Sequence, residues 1–191
     1  MKTAVFMGSP RKKGNTHLLL EEAMRGAAEM GAEIDFFDLT EMKIGGCRNC
    51  GACATIGRCI IKDDMELIYP VLRESGRFIL ASPIFFENVS AQAKAMIDRC
   101  QPFWCEKYLL KRPIPPSGRA GLFIAVGGLK RTSGRDCSIA TARSFFRTIS
   151  VLKSREISYL GVDAKGEILK HPQALQEAYE AGKGLMTAEG G

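Results

Sequence analysis

Thr3-Ala-Val-Phe-Met7-Gly8-Ser-Pro-Arg-Lys-Lys-Gly14-Asn-Thr16 opens the chain with a short apolar run, a glycine-bounded loop and the start of a helix. The apolar run predicts a buried strand from Thr3 to Met7. Apolar side chains then recur at helical spacing from Thr16 to Met30, and Gly31 ends the pattern. A buried strand that leads through a short loop into an amphipathic helix is the first unit of an alternating α/β domain.

The rest of the chain repeats this unit, so that each of four further predicted strands leads into a predicted helix. The second helix opens with Asp63-x-x-Glu66, the pattern of a capping box. The later strands are 33–39, 78–82, 120–126 (after a proline-rich turn at 113–118) and 156–160, and the later helices lie at about 90–103 and 135–149 and after 172. Five such pairs predict one α/β domain over 1–191, with a flavodoxin-like, doubly wound, five-stranded parallel sheet and helices on both faces.

Ligands of such a sheet bind outside the carboxyl ends of its strands, where the strand order reverses. Three loops, 8–16, 83–90 and 127–136, are predicted to reach this edge. All three contain unusual residue combinations, including glycine pairs, aromatic pairs and clustered cations. We therefore expect the binding site to be built from these loops.

The first of these loops suits a single phosphate monoester. Pro10 rules out a G-x-G-x-x-G dinucleotide loop, and Asn15 stands where a Walker A loop has its lysine. Ser9 and Thr16 supply hydroxyl groups, and Arg11 supplies charged donors beside the backbone N–H groups of a helix amino terminus. The simpler alternative, a turn followed by a helix cap at Asn15 or Thr16, leaves the Ser-Pro-Arg segment unexplained.

Four cysteines are crowded into the segment Cys47-Arg-Asn-Cys50-Gly-Ala-Cys53-(five residues)-Cys59, a cysteine-rich insertion at about 45–62. The spacing brings four thiolates within reach of one centre, either an iron–sulfur cluster or a tetrahedral zinc ion. Small residues between them let the backbone fold tightly around an inorganic core. A disulfide pair or plain buried thiols are the remaining alternatives, and the cysteine density favours metal binding.

The composition is that of a globular protein and does not indicate a membrane or secreted protein. Apolar residues make up 46% and charged residues 25% of the 191 residues, as in ordinary globular domains. No apolar run is as long as a membrane span, and the amino terminus lacks a signal-peptide pattern, so we expect a cytoplasmic protein with no membrane partner. In a reducing compartment the seven cysteines favour metal or redox chemistry over disulfides.

The net charge of +6 does not indicate a nucleic-acid partner. Bound anions would offset part of this positive charge, because a phosphate monoester carries a charge of roughly −2 and a four-iron cluster with four thiolates adds roughly −2. The basic residues are also scattered along the chain rather than gathered on one helix. We therefore predict that nucleic acid is not bound.

The combination of motifs resembles a known family, the iron–sulfur flavoproteins, a branch of the NADPH-dependent FMN reductase superfamily. The resemblance covers roughly 1–135 and implies a flavodoxin-like fold, FMN, a [4Fe–4S] cluster and assembly as a homodimer or homotetramer. It is carried by 8–16, by the four-cysteine loop, by Asp63-Asp64-Met65, and by Ser82-Pro-Ile-Phe-Phe-x-x-Val-Ser-Ala-Gln-x-Lys94 with Ile97-Asp-Arg99.

The resemblance also implies which residues hold each cofactor. The third loop departs from the family's usual Gly-Gly…Gly-Gln-Glu pattern and offers Lys130 and Arg131 to an anionic donor. The implied contacts are Ser9, Arg11, Asn15 and Thr16 for the FMN phosphate; Pro83, Ile84, Phe85, Phe86 and Val89 for the isoalloxazine ring; Gly127 and Gly128 for the flavin; and Cys47, Cys50, Cys53 and Cys59 for the cluster.

The function that the resemblance implies is that of a flavin-dependent oxidoreductase. Electrons would pass from a ferredoxin-like donor through the cluster and FMN to a quinone or another small-molecule acceptor, with no side chain needed as a catalytic acid or base. One alternative is an NAD(P)H-dependent FMN or quinone reductase whose cysteine loop holds zinc or nothing. Another is a non-enzymatic flavin- or metal-binding redox sensor, although the sequence shows no output domain.

The three remaining cysteines lack the tight spacing of the first four. Cys100 falls on the apolar side of its predicted helix and is interpreted as a core thiol. Cys105 and Cys137 receive no role.

Overall fold

The computed structural model describes residues 1–112 and 118–188, so most of the proline-rich turn and the last three residues lie outside it. The strands are β1 (Lys2–Met7), β2 (Glu33–Asp38), β3 (Arg77–Phe85), β4 (Asn88–Val89), β5 (Ala120–Gly127) and β6 (Lys153–Leu160). The α-helices are α1 (Asn15–Glu29), α2 (Ala52–Ile56), α3 (Met65–Glu74), α4 (Ala91–Asp98), α5 (Gln101–Trp104), α6 (Thr132–Thr148) and α7 (Ala174–Thr187). A π-helix (Cys105–Leu109) follows α5, and a 3₁₀ helix (Glu167–Lys170) precedes α7.

The described strands form one sheet in the order β2–β1–β3–β5–β6, all parallel, with the two-residue β4 antiparallel to the end of β3. This order is the flavodoxin-like one, and it confirms the predicted fold. The chain reverses direction across the sheet between β1 and β3. The carboxyl ends of these two strands therefore flank the crevice in which such sheets bind ligands.

Alternate residues of the central strands enter two separate cores. On β3, Ile79 joins the core beneath α1 and α7, and Leu80 joins the core beneath α3, α4 and α6. Leu122 and Phe123 of β5 divide in the same way. A sheet that is covered on both faces needs apolar residues on both, which explains why the central strands are almost continuously hydrophobic.

Helices α1 and α7 touch through their backbones at two glycines. A Cβ added to Gly26 would lie 2.1 Å from the carbonyl oxygen of Tyr179, and one added to Gly182 would lie 1.9 Å from that of Ala23. No side chain fits in so small a gap, so each glycine is required by the close approach of the two helices.

Some predicted boundaries were wrong. Strand β3 continues through Pro83 to Phe85, beyond the predicted end at Ser82. The helix predicted over 90–103 divides into α4 and α5, because Pro102 has no N–H group with which to continue the hydrogen-bond ladder. No helix in the described part of the chain is long and apolar enough to cross a membrane.

The predicted capping box also was wrong. The N-cap position of α3 is Asp64, and Glu66 pairs with Lys62 instead of folding back over the helix end. Asp63 does accept a hydrogen bond from the Met65 N–H, at 3.1 Å, but its carboxylate also pairs with the buried guanidinium of Arg99.

Candidate functional site

The first loop is fixed to the neighbouring strand and helix through Gly8. The Gly8 N–H donates to the carbonyl oxygen of Ala81 on β3 at 2.7 Å, and the Ser90 hydroxyl donates to the Gly8 carbonyl at 2.6 Å. At the other end of the loop, a Cβ on Gly14 would lie 2.8 Å from the Arg11 carbonyl oxygen, so the turn closes tightly only with glycine. The loop is therefore held rigidly at the carboxyl edge of the sheet.

The amino terminus of α1 is arranged to receive an anion. No described side chain caps it, and its first turn contains no acidic residue. Ser9 and Thr16 are 7% and 3% exposed and line a cavity of about 140 Å³. Unpaired backbone N–H groups and buried hydroxyls at a helix amino terminus make a site for a phosphate group.

Arg11 and Asn15 line the same cavity, but they also contact a segment that the sequence analysis did not single out. The Arg11 guanidinium donates to the carbonyl oxygen of Asp163 at 2.5 Å. The Asn15 amide donates to Ala164 O at 2.9 Å and accepts from the Ile168 N–H at 3.2 Å. Asn15 thus anchors the segment after β6 against the first loop, a role distinct from the predicted phosphate contact.

The second predicted segment forms a hairpin between β3 and β4. Its two turn residues, Phe86 and Glu87, both have positive φ angles, 46° and 62°, as a tight hairpin turn requires. The Ser82 hydroxyl accepts from the Ser90 N–H at 2.9 Å and donates to the Pro83 carbonyl at 2.8 Å, which secures the base of the hairpin. These bonds give a structural role to Ser82 and Ser90, the two serines of the Ser82-Pro-Ile-Phe-Phe segment.

The hairpin residues do not all face the same space. Phe86 is fully exposed at the tip, and Phe85 is 48% exposed. Val89, predicted to contact the flavin ring, is 5% exposed, belongs to the core beneath α4 and lines neither cavity of the binding edge.

A larger cavity of about 610 Å³ adjoins the first one. Ile84, Gly128 and Asp163 line both cavities, so the two spaces are neighbouring parts of one site. The larger cavity is lined by Ile84, Phe86, Glu87, Gly127, Gly128, Leu129, Arg131, Gly134, Leu160 and Asp163. Ile84, Phe86, Gly127 and Gly128 were predicted, whereas Leu160 and Asp163 carry no sequence signal beyond their place at the end of β6.

The third loop packs closely on the hairpin. A Cβ on Gly134 would lie 2.9 Å from Ile84 Cγ2. At the tip, Glu87 accepts a hydrogen bond from the Ser133 hydroxyl at 2.9 Å and pairs with Arg131 at 3.5 Å. These contacts close one side of the larger cavity and leave Arg131, whose side chain is 70% exposed, beside it.

The four clustered cysteines line a third cavity, of about 130 Å³. Cys47 and Cys50 are exposed, and Cys53 and Cys59 are half-buried. No carboxylate or imidazole lies among the described residues that line this cavity, so its donor set is thiols alone, as an iron–sulfur cluster or a thiolate zinc site requires. Within 1–112 and 118–188, no three Cys, His, Asp or Glu side chains converge closely enough to hold a metal ion, so binding would require the loop to close.

A buried ion pair holds the two ends of the cysteine loop together. Arg99, whose side chain is fully buried, pairs with Asp63 through two hydrogen bonds of 2.5 and 3.1 Å. The same guanidinium donates to Gly45 O at 2.9 Å and Ile61 O at 3.3 Å, and Asp63 accepts from the Gly45 N–H at 3.0 Å. The loop is therefore closed at its base before any metal is bound.

Two of the four clustered thiols have pKa values that are shifted in opposite directions. Burial acts to raise the pKa of Cys59, but the Ile61 N–H, the Tyr69 hydroxyl and the Arg99 cation outweigh it and lower that pKa below its ordinary value. Burial and the neighbouring thiol of Cys105 raise the pKa of Cys53 to about 11. The lowered pKa favours the thiolate form of Cys59 as a ligand, whereas Cys53 would release its proton on binding metal.

The sequence matches a protein family and named relatives over most of its length. The model of the NADPH-dependent FMN reductase family matches residues 1–152. An iron–sulfur flavoprotein of Methanocaldococcus jannaschii is 35% identical over 152 residues, covering 80% of this chain and 75% of that protein. One from Archaeoglobus fulgidus is 37% identical over 139 residues (73% and 68%), and one from Methanosarcina thermophila is 30% identical over 161 residues (84% and 81%).

Solved structures share the fold at low sequence identity. The NAD(P)H:quinone oxidoreductase of Methanothermobacter marburgensis superposes with a TM-score of 0.73 and 16% identity, covering 97% of this chain and 96% of that one. A flavone reductase gives a TM-score of 0.73 at 19% identity, and the match covers 98% of this chain and 62% of that longer one. Fold and family together define a flavin-dependent oxidoreductase. The chain belongs to the NADPH-dependent FMN reductase family and, within it, to the iron–sulfur flavoproteins.

Proposed function

We propose that the protein transfers electrons from a ferredoxin-like donor, through a [4Fe–4S] cluster in the cysteine loop, to FMN at the sheet edge and on to a quinone or another small oxidant. The observation that carries this proposal is the presence, in one chain, of a phosphate-type loop beside a large cavity and of a separate cavity lined by four thiols. When bound, FMN would supply one- or two-electron chemistry and the cluster one-electron chemistry.

The two adjoining cavities suit the two ends of FMN. Ser9, Thr16 and the amino terminus of α1 would bind the phosphate, with Arg11 as a cationic neighbour. The larger cavity, with Ile84 and the glycines of the third loop on its walls, would take the ring. The close packing of Gly134 on Ile84 keeps this wall in place, so the ring would be oriented by contacts formed before it binds.

The cysteine loop would hold the cluster through Cys47, Cys50, Cys53 and Cys59. Arg99 closes the base of the loop and lines the thiol cavity, and its charge is balanced by Asp63. The pair would therefore position the cysteines around the cluster. The proposal includes assembly as a homodimer or homotetramer, as the family resemblance implies.

Direct reduction by NAD(P)H is the second candidate function. The wide cavity with Arg131 on its wall is large enough for an anionic donor to approach a bound ring. In that case the cysteine loop would not lie on the electron path.

The electron source separates the two functions. Anaerobic protein with FMN and cluster bound is mixed in a stopped-flow instrument with a reduced two-[4Fe–4S] ferredoxin or with NADPH, and flavin absorbance is followed. Rapid bleaching by ferredoxin, lost in Cys59→Ser, supports the proposal. Rapid bleaching by NADPH that Cys59→Ser leaves unchanged would support direct reduction instead.

A further inference from the structure

A fifth thiol lies in the cavity of the four clustered cysteines. Cys105 lines that cavity, and its Sγ atom is 3.6 Å from Sγ of Cys53. It is 2% exposed, whereas Cys53 is partly accessible. Fifty-two positions separate the two residues in the sequence, so nothing in the cysteine spacing indicated this contact.

Cys105 is held firmly in this position. It is the first residue of the π-helix, and the next residue, Glu106, receives two hydrogen bonds from the Arg73 guanidinium, at 2.8 and 2.9 Å. The Arg112 N–H also donates to the Glu106 carbonyl at 2.9 Å. Because π-helical turns are rare and are frequent at functional sites, this placement of a thiol invites a chemical explanation.

Cys53 stands on an element that can move. Helix α2 is only five residues long, contains no buried residue, and is bounded by Gly51 and Gly57, both with positive φ angles. A disulfide has an S–S distance of about 2.05 Å, so the sulfurs need to approach by roughly 1.5 Å. A short helix between two glycine hinges can supply that movement while Cys105 stays in place.

We propose that Cys53 and Cys105 form a reversible disulfide when the cysteine loop carries no cluster, with Cys53 as the thiol oxidised first and Cys105 as the resolving thiol. The inference depends on the proposed function in one respect: a cluster bound through Cys53 would prevent the disulfide from forming. The disulfide would keep Cys53 from irreversible oxidation, and reduction would return it for cluster assembly.

The chemistry balances with a peroxide as oxidant. The Cys53 thiolate attacks hydrogen peroxide, the O–O bond breaks, and a sulfenic acid forms with loss of hydroxide. The Cys105 sulfur then attacks the Cys53 sulfur, an S–S bond forms, and the sulfenic oxygen leaves as water. In total, two thiols and one peroxide give one disulfide and two waters.

The test maps disulfides in protein from which the cluster has been removed. One equivalent of hydrogen peroxide should consume two of the seven thiols, and trypsin should then release peptide 49–58 linked to peptide 100–107. Each peptide contains a second cysteine, Cys50 or Cys100, so the linked residues are assigned by fragmentation and confirmed in Cys50→Ser and Cys100→Ser. Dithiothreitol should restore both thiols.

Cys105→Ser should lose the linked peptide, and with at least two equivalents of hydrogen peroxide its Cys53 should proceed through sulfenic to sulfinic acid. Circular dichroism verifies that this variant is folded. Cys137→Ser, which removes an exposed thiol elsewhere, should form the same link as the unsubstituted protein. A link from Cys53 to Cys47, Cys50 or Cys59 would overturn the proposal, and so would peroxide consumption that leaves Cys105 free. Neither result depends on whether the loop binds iron, so a failure here is distinct from a failure of the proposed function.

Discussion

Asp63 and Arg99 form the single contact that most directly controls the shape of the cysteine loop. The pair is almost fully buried and reaches the backbone on both sides of the loop, at Gly45 and Ile61. Both residues belong to sequence segments that carried the family resemblance, where Asp63 was predicted only to cap a helix and Arg99 had no assigned role. Their geometry indicates another role, because a loop closed at its base needs to order fewer residues when it binds a cluster.

Asp63→Asn should therefore destabilise the fold strongly. The change leaves the buried Arg99 cation without its carboxylate, and breaking a buried ion pair in this way costs about 3–5 kcal/mol. Asp98→Asn is the matched control, since its pair with Lys94 is 44% exposed on both sides and should contribute about 0–1 kcal/mol. Urea unfolding measures both values, and equal effects of the two substitutions would contradict the assigned role of Asp63.

The same carboxylate predicts how stability depends on pH. Burial acts to raise the pKa of Asp63, but the Arg99 hydrogen bond and the N–H groups of Gly45 and Met65 outweigh it, so the pKa falls below its usual 3.8. A group with a lowered pKa in the folded state stabilises the protein above the unfolded-state pKa, and this contribution is lost as pH falls through the folded-state value. Unfolding free energy should thus decline below about pH 4, and Asp63→Asn should decline less steeply than the unsubstituted protein.

Arg11→Ala tests the proposed phosphate site. Removing one charge-assisted contact should weaken FMN binding by about 1.5–3 kcal/mol, measured by fluorescence titration of FMN-free protein. Lys12→Ala is the neighbouring control, because the Lys12 side chain is 73% exposed and pairs with Glu41 away from the cavity. FMN affinity that is unchanged in Arg11→Ala would remove this residue from the site and leave its contact with Asp163 as its only role.

At the scale of elements, the contact between α1 and α7 depends on glycines whose importance sequence patterns do not show. Gly182→Ala should destabilise the protein by about 2 kcal/mol or more, because its new Cβ would overlap the Ala23 carbonyl. Gly184→Ala is the matched control in the same helix. Its Cβ meets nothing within 4 Å, so improved helix propensity should stabilise the protein by up to about 1 kcal/mol. Thermal unfolding that gave both substitutions the same sign would contradict this account.

Hydrophobic periodicity predicted the five strands of the parallel sheet, because strands and helices have different apolar spacing. The alternation of strands with helices then predicted the flavodoxin-like strand order through general rules of connection. These patterns missed the division between α4 and α5, the two hydrogen bonds that occupy Asn15, and the contact between Cys53 and Cys105. The Asn15 bonds and the Cys53–Cys105 contact depend on segments that are distant in sequence and meet only after folding. The division between α4 and α5 follows instead from Pro102, a local signal inside the predicted helix.

At the scale of the whole molecule, the fold brings three loops from separate strand ends to one edge and leaves the cysteine loop as a distinct unit. The first loop, the hairpin and the third loop are joined by hydrogen bonds from Ser90 to Gly8 and from Ser133 to Glu87. The segment after β6 completes the edge through Arg11 and Asn15. The three loops of this edge were predicted from motifs. Only the structure showed that Asp163 lines both cavities and accepts a hydrogen bond from Arg11.

We propose that this one chain holds both a flavin and an iron–sulfur cluster. Protein reconstituted and purified without oxygen is analysed for FMN, iron and acid-labile sulfide per chain. We expect one FMN with about four iron and four sulfide per chain, and Cys47→Ser should lose the iron and sulfide while keeping FMN. FMN without iron, or one zinc per chain in the cysteine loop, would contradict it.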